Sequence, residues 1–247
     1  MSFEILLQDD RLCAINKPTG IMVHRSNIGT DREFVMQNLR DQLGQRVWPV
    51  HRLDRATSGV LLFALDPGAA RALGGSFMNR RVDKGYLAVV RGWTGANGVV
   101  DHPLARHGRA EPRAARTDYE RLASCELPIP VGGFDTARYS LVAARPETGR
   151  RHQIRRHFKH ISHHLIGDTT YGDGRHNRLF RRHLDCHRML LHANRLALEH
   201  PSDGRRVTIE ASLDGEFARV AREAFDWPDE PGRPASSKES DGDRHLR

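Results

Sequence analysis

Short apolar runs alternate with helix-spaced apolar positions along the 247-residue chain, and the two patterns predict its elements. FEILLQDDRLCAINKP, residues 3–18, predicts two short strands around an acidic turn at Gln8-Asp9-Asp10-Arg11, closed by Lys17-Pro18-Thr19-Gly20. Residues 31–44 predict an amphipathic helix. Asp31 is placed to cap it, Val35, Leu39 and Leu43 share a face, and Gly44 closes it. GVLLFAL (59–65) is continuous and apolar, the pattern of a strand covered on both faces. Asp66-Pro67 opens a helix to about Arg80. YLAVVRG (86–92) and ARYSLVAARP (137–146) predict strands, and 94–116, rich in Gly, Pro and Arg, predicts an ordered loop or insertion. RRHQIRRHFKHI (150–161) predicts a helix with Ile154, Phe158 and Ile161 on one face. MLLHANRLALEH (189–200) returns to strand, and 213–226 predicts a last helix.

Strands and helices mingle at hairpin-like spacings, which favours an α+β fold over a doubly wound parallel sheet. One domain is expected over 1–227. The tail, 228–247, has five acids, four Lys/Arg and almost nothing apolar, and is expected to be disordered.

Charge changes the picture most. The chain carries +8, and residues 145–188 hold 11 Lys/Arg against four acids, a net of +7, with eight of the 15 histidines. Such a concentration suits a phosphate backbone; an arginine-rich solvated surface is the plain alternative. No run of about 18 apolar residues exists to cross a membrane. The N-terminus lacks the basic region and cleavage site of a signal peptide. Three scattered cysteines, Cys13, Cys125 and Cys186, suit a reducing cytoplasm. Neither a phosphate-binding glycine loop nor a GxSxG elbow is present. His157, His160, His163 and His164 have helix-like spacing, but no cysteine or paired carboxylate completes a metal set and neighbouring cations repel one. Hydrogen-bonded or RNA-facing histidines are expected there, and no metal.

One carboxylate stands out. In HRLDRATSGVLLFALD (51–66), Asp54 lies between Arg52 and Arg55 at the mouth of the apolar run. Alone it reads as a turn or cap residue. Three further blocks follow: Lys84-Gly85-Tyr86, Gly149-Arg150-Arg151-His152-Gln153-Ile154-Arg155, and Leu190-Leu191-His192-Ala193. In this order they resemble the HRLDxxTSG, KxY, TGRxHQ[IL]R and LLHA motifs of the RluA family of pseudouridine synthases, and NKPTGIMVH (16–24) resembles its NKPxG segment. The resemblance runs from about residue 3 to 211. HQIRRHFKHISHHLIGD, with Arg156, and the following TTYGDGRHNR resemble the TruC-type branch, which modifies a uridine at position 65 of tRNA. No small N-terminal RNA-binding domain of the kind found in ribosomal relatives is expected, since the motifs begin at once.

The resemblance implies a mixed, largely antiparallel sheet with flanking helices, and isomerisation of uridine without a cofactor. Asp54 is implied as the catalytic carboxylate, as nucleophile or base, and Arg155 as its charged partner. Tyr86 is implied to stack on the base and Leu191 to pack beneath it. Arg52 is implied to fill the space of the flipped base and Arg55 to touch phosphate. RNA, tRNA first, is the implied partner, with no obligate protein partner. Ribosomal RNA remains an alternative substrate, and a non-catalytic RNA binder a further alternative that has no use for Asp54, Tyr86 and Arg155 together. A glycoside hydrolase would need a second carboxylate in a comparable motif.

Overall fold

The computed structural model describes residues 1–24, 33–106 and 111–228. Its strands are β1 (Glu4–Gln8), β2 (Leu12–Lys17), β3 (Trp48–Pro49), β4 (Ser58–Ala64), β5 (Asp83–Arg91), β6 (Asn97–Asp101), β7 (Arg116–Leu127), β8 (Ala137–Pro146), β9 (Leu191–Glu199) and β10 (Arg206–Glu210). Its helices are α1 (Val35–Leu43), α2 (Pro67–Met78), α3 (Gln153–His160), α4 (Gly174–His183) and α5 (Gly215–Phe225). The strands form one mixed sheet in the order β1-β2-β4-β9-β5-β8-β7-β6, with β10 beside β9 and β3 beside β4. Among these pairs β4–β9 is parallel and the others are antiparallel.

Strand β4 is buried at every position, as its unbroken apolar run requires. Its two faces feed two cores: Leu61 and Phe63 pack with Val35 and Leu39 of α1, and Val60 and Leu62 with Ala69 and Leu73 of α2. Further along the sheet Val90 and Val142 pack with Ile154 and Phe158 of α3, while Val89 and Leu141 pack with Phe180 of α4 and Phe217 of α5. Asp66 caps α2 by accepting from the Gly68 and Ala69 amides at 2.8 and 3.0 Å, with Pro67 in the first turn.

Where β4 and β9 meet, the chains approach closely. Gly59 has φ +107°, and a Cβ on it would lie 2.2 Å from the Ala193 carbonyl oxygen. The glycine of HRLDxxTSG is therefore required by the backbone of the LLHA strand, which leaves no room for a side chain at residue 59.

The structure corrects several expectations. Helix α1 starts at Val35 after an extended Phe34 that makes no side-chain cap; Asp31 lies outside the described residues. The 94–116 stretch contains β6, paired with β7. Strands β7 and β10 and helix α4 were not expected. The tail beyond Pro228 also lies outside the described residues.

Candidate active site

Three neighbouring strands and one helix converge on a pocket. Asp54 comes from the turn before β4, where the Thr57 amide donates to the Asp54 carbonyl at 3.1 Å. Tyr86 lies on β5, Leu191 opens β9, and Arg155 projects from α3. All four line one pocket, with Lys84, Thr148 and His152. The pairing of β5 with β9 shifts register between Gly85 and Leu87, a bulge at Tyr86 that re-aims its side chain.

The Asp54 loop is clamped from below by NKPTG. Lys17 Nζ and the Gly20 amide donate to the Arg55 carbonyl at 3.3 and 2.8 Å, Thr19 Oγ1 donates to the Ala56 carbonyl at 2.9 Å, and Arg55 Nε donates to the Gly20 carbonyl at 2.8 Å. Lys17 is fully buried, and burial with the nearby Arg188 charge brings its amine down to about 7, against the pull of Asp54.

Arg155 is the hub. Its Nη1 donates to Asp54 Oδ2 at 2.9 Å, and its Nε and Nη2 hold Asp168 by two parallel bonds of 2.7 and 2.9 Å. The Asp168 side chain is 0% exposed and also accepts from the Thr170 and Tyr171 amides. Burial opposes the charge of both partners. Asp168, then Asp54, more than offsets that for the guanidinium, which is held above its usual range. Arg155 and the two amides likewise hold Asp168 below the usual carboxylate range. A guanidinium gripped on two sides by a buried carboxylate can present its remaining nitrogen in only one direction, toward Asp54.

Asp54 Oδ1 is left facing the pocket. His152 Nε2 lies 3.7 Å from it, beyond hydrogen-bond reach. His152 sits in the left-handed region (φ 54°), and its Nδ1 meets the Tyr171 hydroxyl at 3.1 Å. Burial, with Arg155 and Arg151, lowers its pKa despite Asp54, so the ring is neutral at pH 7. Tyr86 is held protonated, first by burial and then by the Asp54 charge.

The motif residues around the pocket are tied to one another. Gln153 Oε1 accepts from Thr148 Oγ1 (2.6 Å) and the Arg150 amide (2.9 Å), and its Nε2 donates to the Arg116 carbonyl (2.9 Å). Lys84 Nζ donates to the Thr148 carbonyl at 3.0 Å, joining the KxY strand to the TGR turn. His51 supports from outside: its Nε2 accepts the Leu62 amide at 2.9 Å.

Arg52 and Arg55 are exposed and do not line the pocket. The histidine run disperses. His157 meets Thr117 and the His102 carbonyl, His160 stacks on His102, His163 bonds the Arg91 carbonyl and His164 the Tyr171 carbonyl. Among the described residues no group of three or more His, Cys, Asp or Glu is placed to hold a metal ion. Two site residues escaped the sequence reading, His152 as a pocket wall and Asp168. The signal for Asp168 was present: it is one of four acids in the basic segment, directly after the buried pair Leu165-Ile166 and Gly167.

Comparison with known proteins agrees with this geometry. Residues 11–160 match the family described as RNA pseudouridylate synthase. The chain is 47% identical over 236 residues to the tRNA pseudouridine synthase C of Vibrio cholerae, covering 91% of this chain and 96% of that one. It is also 47% identical over 239 residues to the same-named protein of Pasteurella multocida, covering 92% and 98%. Human RNA pseudouridylate synthase domain containing 1 superposes with a TM-score of 0.67 at 27% identity, over 86% of this chain and 84% of the other. The ordered motifs, the mixed sheet and these likenesses agree: the chain belongs to the RNA pseudouridylate synthase family, as an isomerase.

Proposed function

We propose that the protein converts uridine 65, in the acceptor stem of tRNA, to pseudouridine, acting in the cytoplasm without an obligate protein partner. Residues 1–227 form the catalytic unit and 228–247 are dispensable to it. The likeness to proteins named tRNA pseudouridine synthase C over more than 90% of the chain supports tRNA as substrate.

The reaction breaks the C1′–N1 bond, turns the base, joins C1′ to C5 and moves one proton from C5 to N1. Substrate and product have the same atoms and oxidation state, so the chemistry calls for a charged oxygen at the sugar rather than a redox or group-transfer cofactor. Asp54 supplies that oxygen, as nucleophile at C1′ or as base toward the sugar. The observation that carries the reading is the Asp54–Arg155–Asp168 chain. Arg155 engages Oδ2 and leaves Oδ1 turned to the pocket, and Asp168 fixes the direction from which Arg155 does so. Neutral His152 stands near Oδ1 without occupying it. Tyr86 offers a flat face to the base and Leu191 an apolar floor. Arg52 and Arg55, exposed beside the pocket, serve the flipped-out strand: Arg52 in the vacated stack and Arg55 on phosphate.

The test is pseudouridine mapping on unmodified tRNA transcripts and ribosomal RNA fragments treated with purified protein. Pseudouridine at position 65 of tRNA is expected. Modification of ribosomal RNA alone would overturn the substrate and leave the chemistry standing.

A further inference from the structure

We infer that the exposed face of α4, with the tip of the β7–β8 hairpin beside it, is a second contact surface that takes the phosphate backbone of the substrate RNA away from the pocket. The identity of the ligand rests on the pseudouridine synthase reading.

The structure sorts the cations of the basic 145–188 segment. Arg155 belongs to the site and Arg188 is buried against Ser58 and the Met189 carbonyl. Arg145 pairs with Glu120, Arg150 and Arg156 bond the Ala114 and Ala105 carbonyls, and Arg175 pairs with Asp173. Five exposed cations of the segment make no hydrogen bond or ion pair among the described residues. Arg151 and Lys159 lie just before and on α3, next to the pocket, whereas Arg178, Arg181 and Arg182 lie together on α4. Spaced i, i+3 and i+4, they share one face of α4.

That face is rigid. Leu179 and Phe180 are buried beneath it. Asn177 accepts from the Gly167 amide at 2.8 Å and donates to the Asp168 carbonyl at 3.0 Å, which ties α4 to the turn carrying the carboxylate behind Arg155. Nearby acids are already engaged, Asp173 by Arg91 and Arg175, and Asp185 by His187.

The arrangement costs stability. Like charges at i, i+3 and i, i+4 oppose a helix. The helix dipole favours cations in the last turn, but its effect fades beyond that turn and does not reach Arg178. An anion laid along the face would turn the repulsion into attraction. The occupant also has an aromatic to meet. Phe134, 74% exposed, lies in the hairpin tip, and Gly132 of that tip is so close to Arg175 that a Cβ there would lie 3.1 Å from its Nη1. An aromatic face beside arginines suits nucleic acid, where phosphate and base or ribose come together. β8 separates this tip from the pocket: from Ala137 to Pro146 is about 30 Å at 3.4 Å per residue. The surface therefore contacts RNA flanking the target, not the flipped nucleotide.

The test uses the full chain and an unmodified tRNA transcript. Two triple variants remove the same charge: Arg178→Gln/Arg181→Gln/Arg182→Gln, and, as a control, Arg40→Gln/Arg71→Gln/Arg205→Gln. Dissociation constants are measured against salt, with melting temperatures to verify folding. The α4 variant should bind at least about 10-fold more weakly, and the slope of log affinity against log salt should shrink by about 2–3, while the control moves little. Phe134→Ser should weaken binding with the slope unchanged. Equal effects in the two triples, or none in the α4 triple, would overturn the surface. So would unaltered RNA binding by the α4 triple together with loss of binding to phosphatidylserine vesicles, which would assign the face to a membrane. Pseudouridine formation by the wild type is scored in parallel: its absence sinks the proposed function, whereas an unchanged slope with turnover intact sinks only the α4 surface.

Discussion

At the scale of single residues, the proposed site is a carboxylate bonded to an arginine that a second carboxylate holds in place. Asp54→Asn preserves shape and removes the charge of the oxygen proposed to react. It should bind tRNA about as well as the wild type, since phosphate contacts dominate affinity, and form no pseudouridine. Turnover by that variant, with reversion to Asp excluded by mass spectrometry, would remove Asp54 from the mechanism. Asp168→Asn tests positioning. Asn keeps one acceptor for Arg155 but breaks a buried charge pair, at a cost on the order of 3–5 kcal/mol. With Arg155 no longer aimed, Asp54 loses the fixed direction of its charged partner. The maximal rate on tRNA should fall while tRNA affinity holds. A lower melting point with the maximal rate unchanged would mark Asp168 as structural only. Asp54 was legible in the sequence because four ordered motifs point to it. Asp168 and His152 were not, because their importance lies in an ion pair spanning 13 residues and in a left-handed backbone at His152, neither of which leaves a periodic trace.

At the scale of elements, the β4–β9 crossing holds the two halves of the sheet at the distance the site needs. Gly59→Ala would drive a methyl into the Ala193 carbonyl in a backbone region that disfavours side chains. A cost of about 3 kcal/mol or more follows, a fall of roughly 6–12 °C in melting temperature if the chain folds. Gly74→Ala, in the middle of α2 with nothing within 4 Å of its new Cβ, should instead stabilise by about 0.5–1 kcal/mol. Beside the crossing lies a proton-sensitive contact. His192 is fully buried; its Nδ1 meets Ser58 Oγ at 2.7 Å and its Nε2 meets the Ala211 carbonyl at 3.2 Å, while Arg188 donates to the same Ser58 oxygen. The neutral ring satisfies all of these. Burial first, then Arg188, brings its pKa down to about 4 against the Ala211 carbonyl. The unfolded chain therefore takes up this proton before the fold does. The contribution is complete above about pH 6.5 and is lost as pH falls toward 4. His192→Gln should lose less stability than the wild type between pH 7.5 and 5, read from urea midpoints; equal losses would refute the assignment. The sequence made legible those elements whose pattern is set by burial: β4, β8 and α5 were read nearly residue for residue. It hid β7, a partly exposed strand with Arg116, Asp118, Glu120 and Arg121 in its first half, and α4, which has Leu179 and Phe180 as its apolar residues. A charged strand near the sheet edge and an arginine-rich helix both lack the apolar periodicity that declares an element.

At the scale of the whole molecule, one continuous sheet with α3 packed on it holds the proposed site together, so the catalytic unit should need nothing beyond its last packed residue. Among the described residues that is Trp227. Its amide donates to the Ala221 carbonyl of α5 at 3.2 Å, and its side chain packs against the core shared by β5, β8 and α5. Residues 228–247 carry five acids and four Lys/Arg with little to bury. A chain ending at Asp229 keeps Trp227 and should match the full-length protein in melting temperature and in pseudouridine formation on tRNA. A chain ending at Glu223 removes Phe225 and Trp227 and exposes the core beneath α5, so it should melt markedly lower. Losing one large apolar side chain from such a core costs about 3–5 kcal/mol. A steep loss of turnover in the longer truncation, with its melting temperature unchanged, would show that the charged tail takes part in RNA binding and that the catalytic unit extends past residue 227.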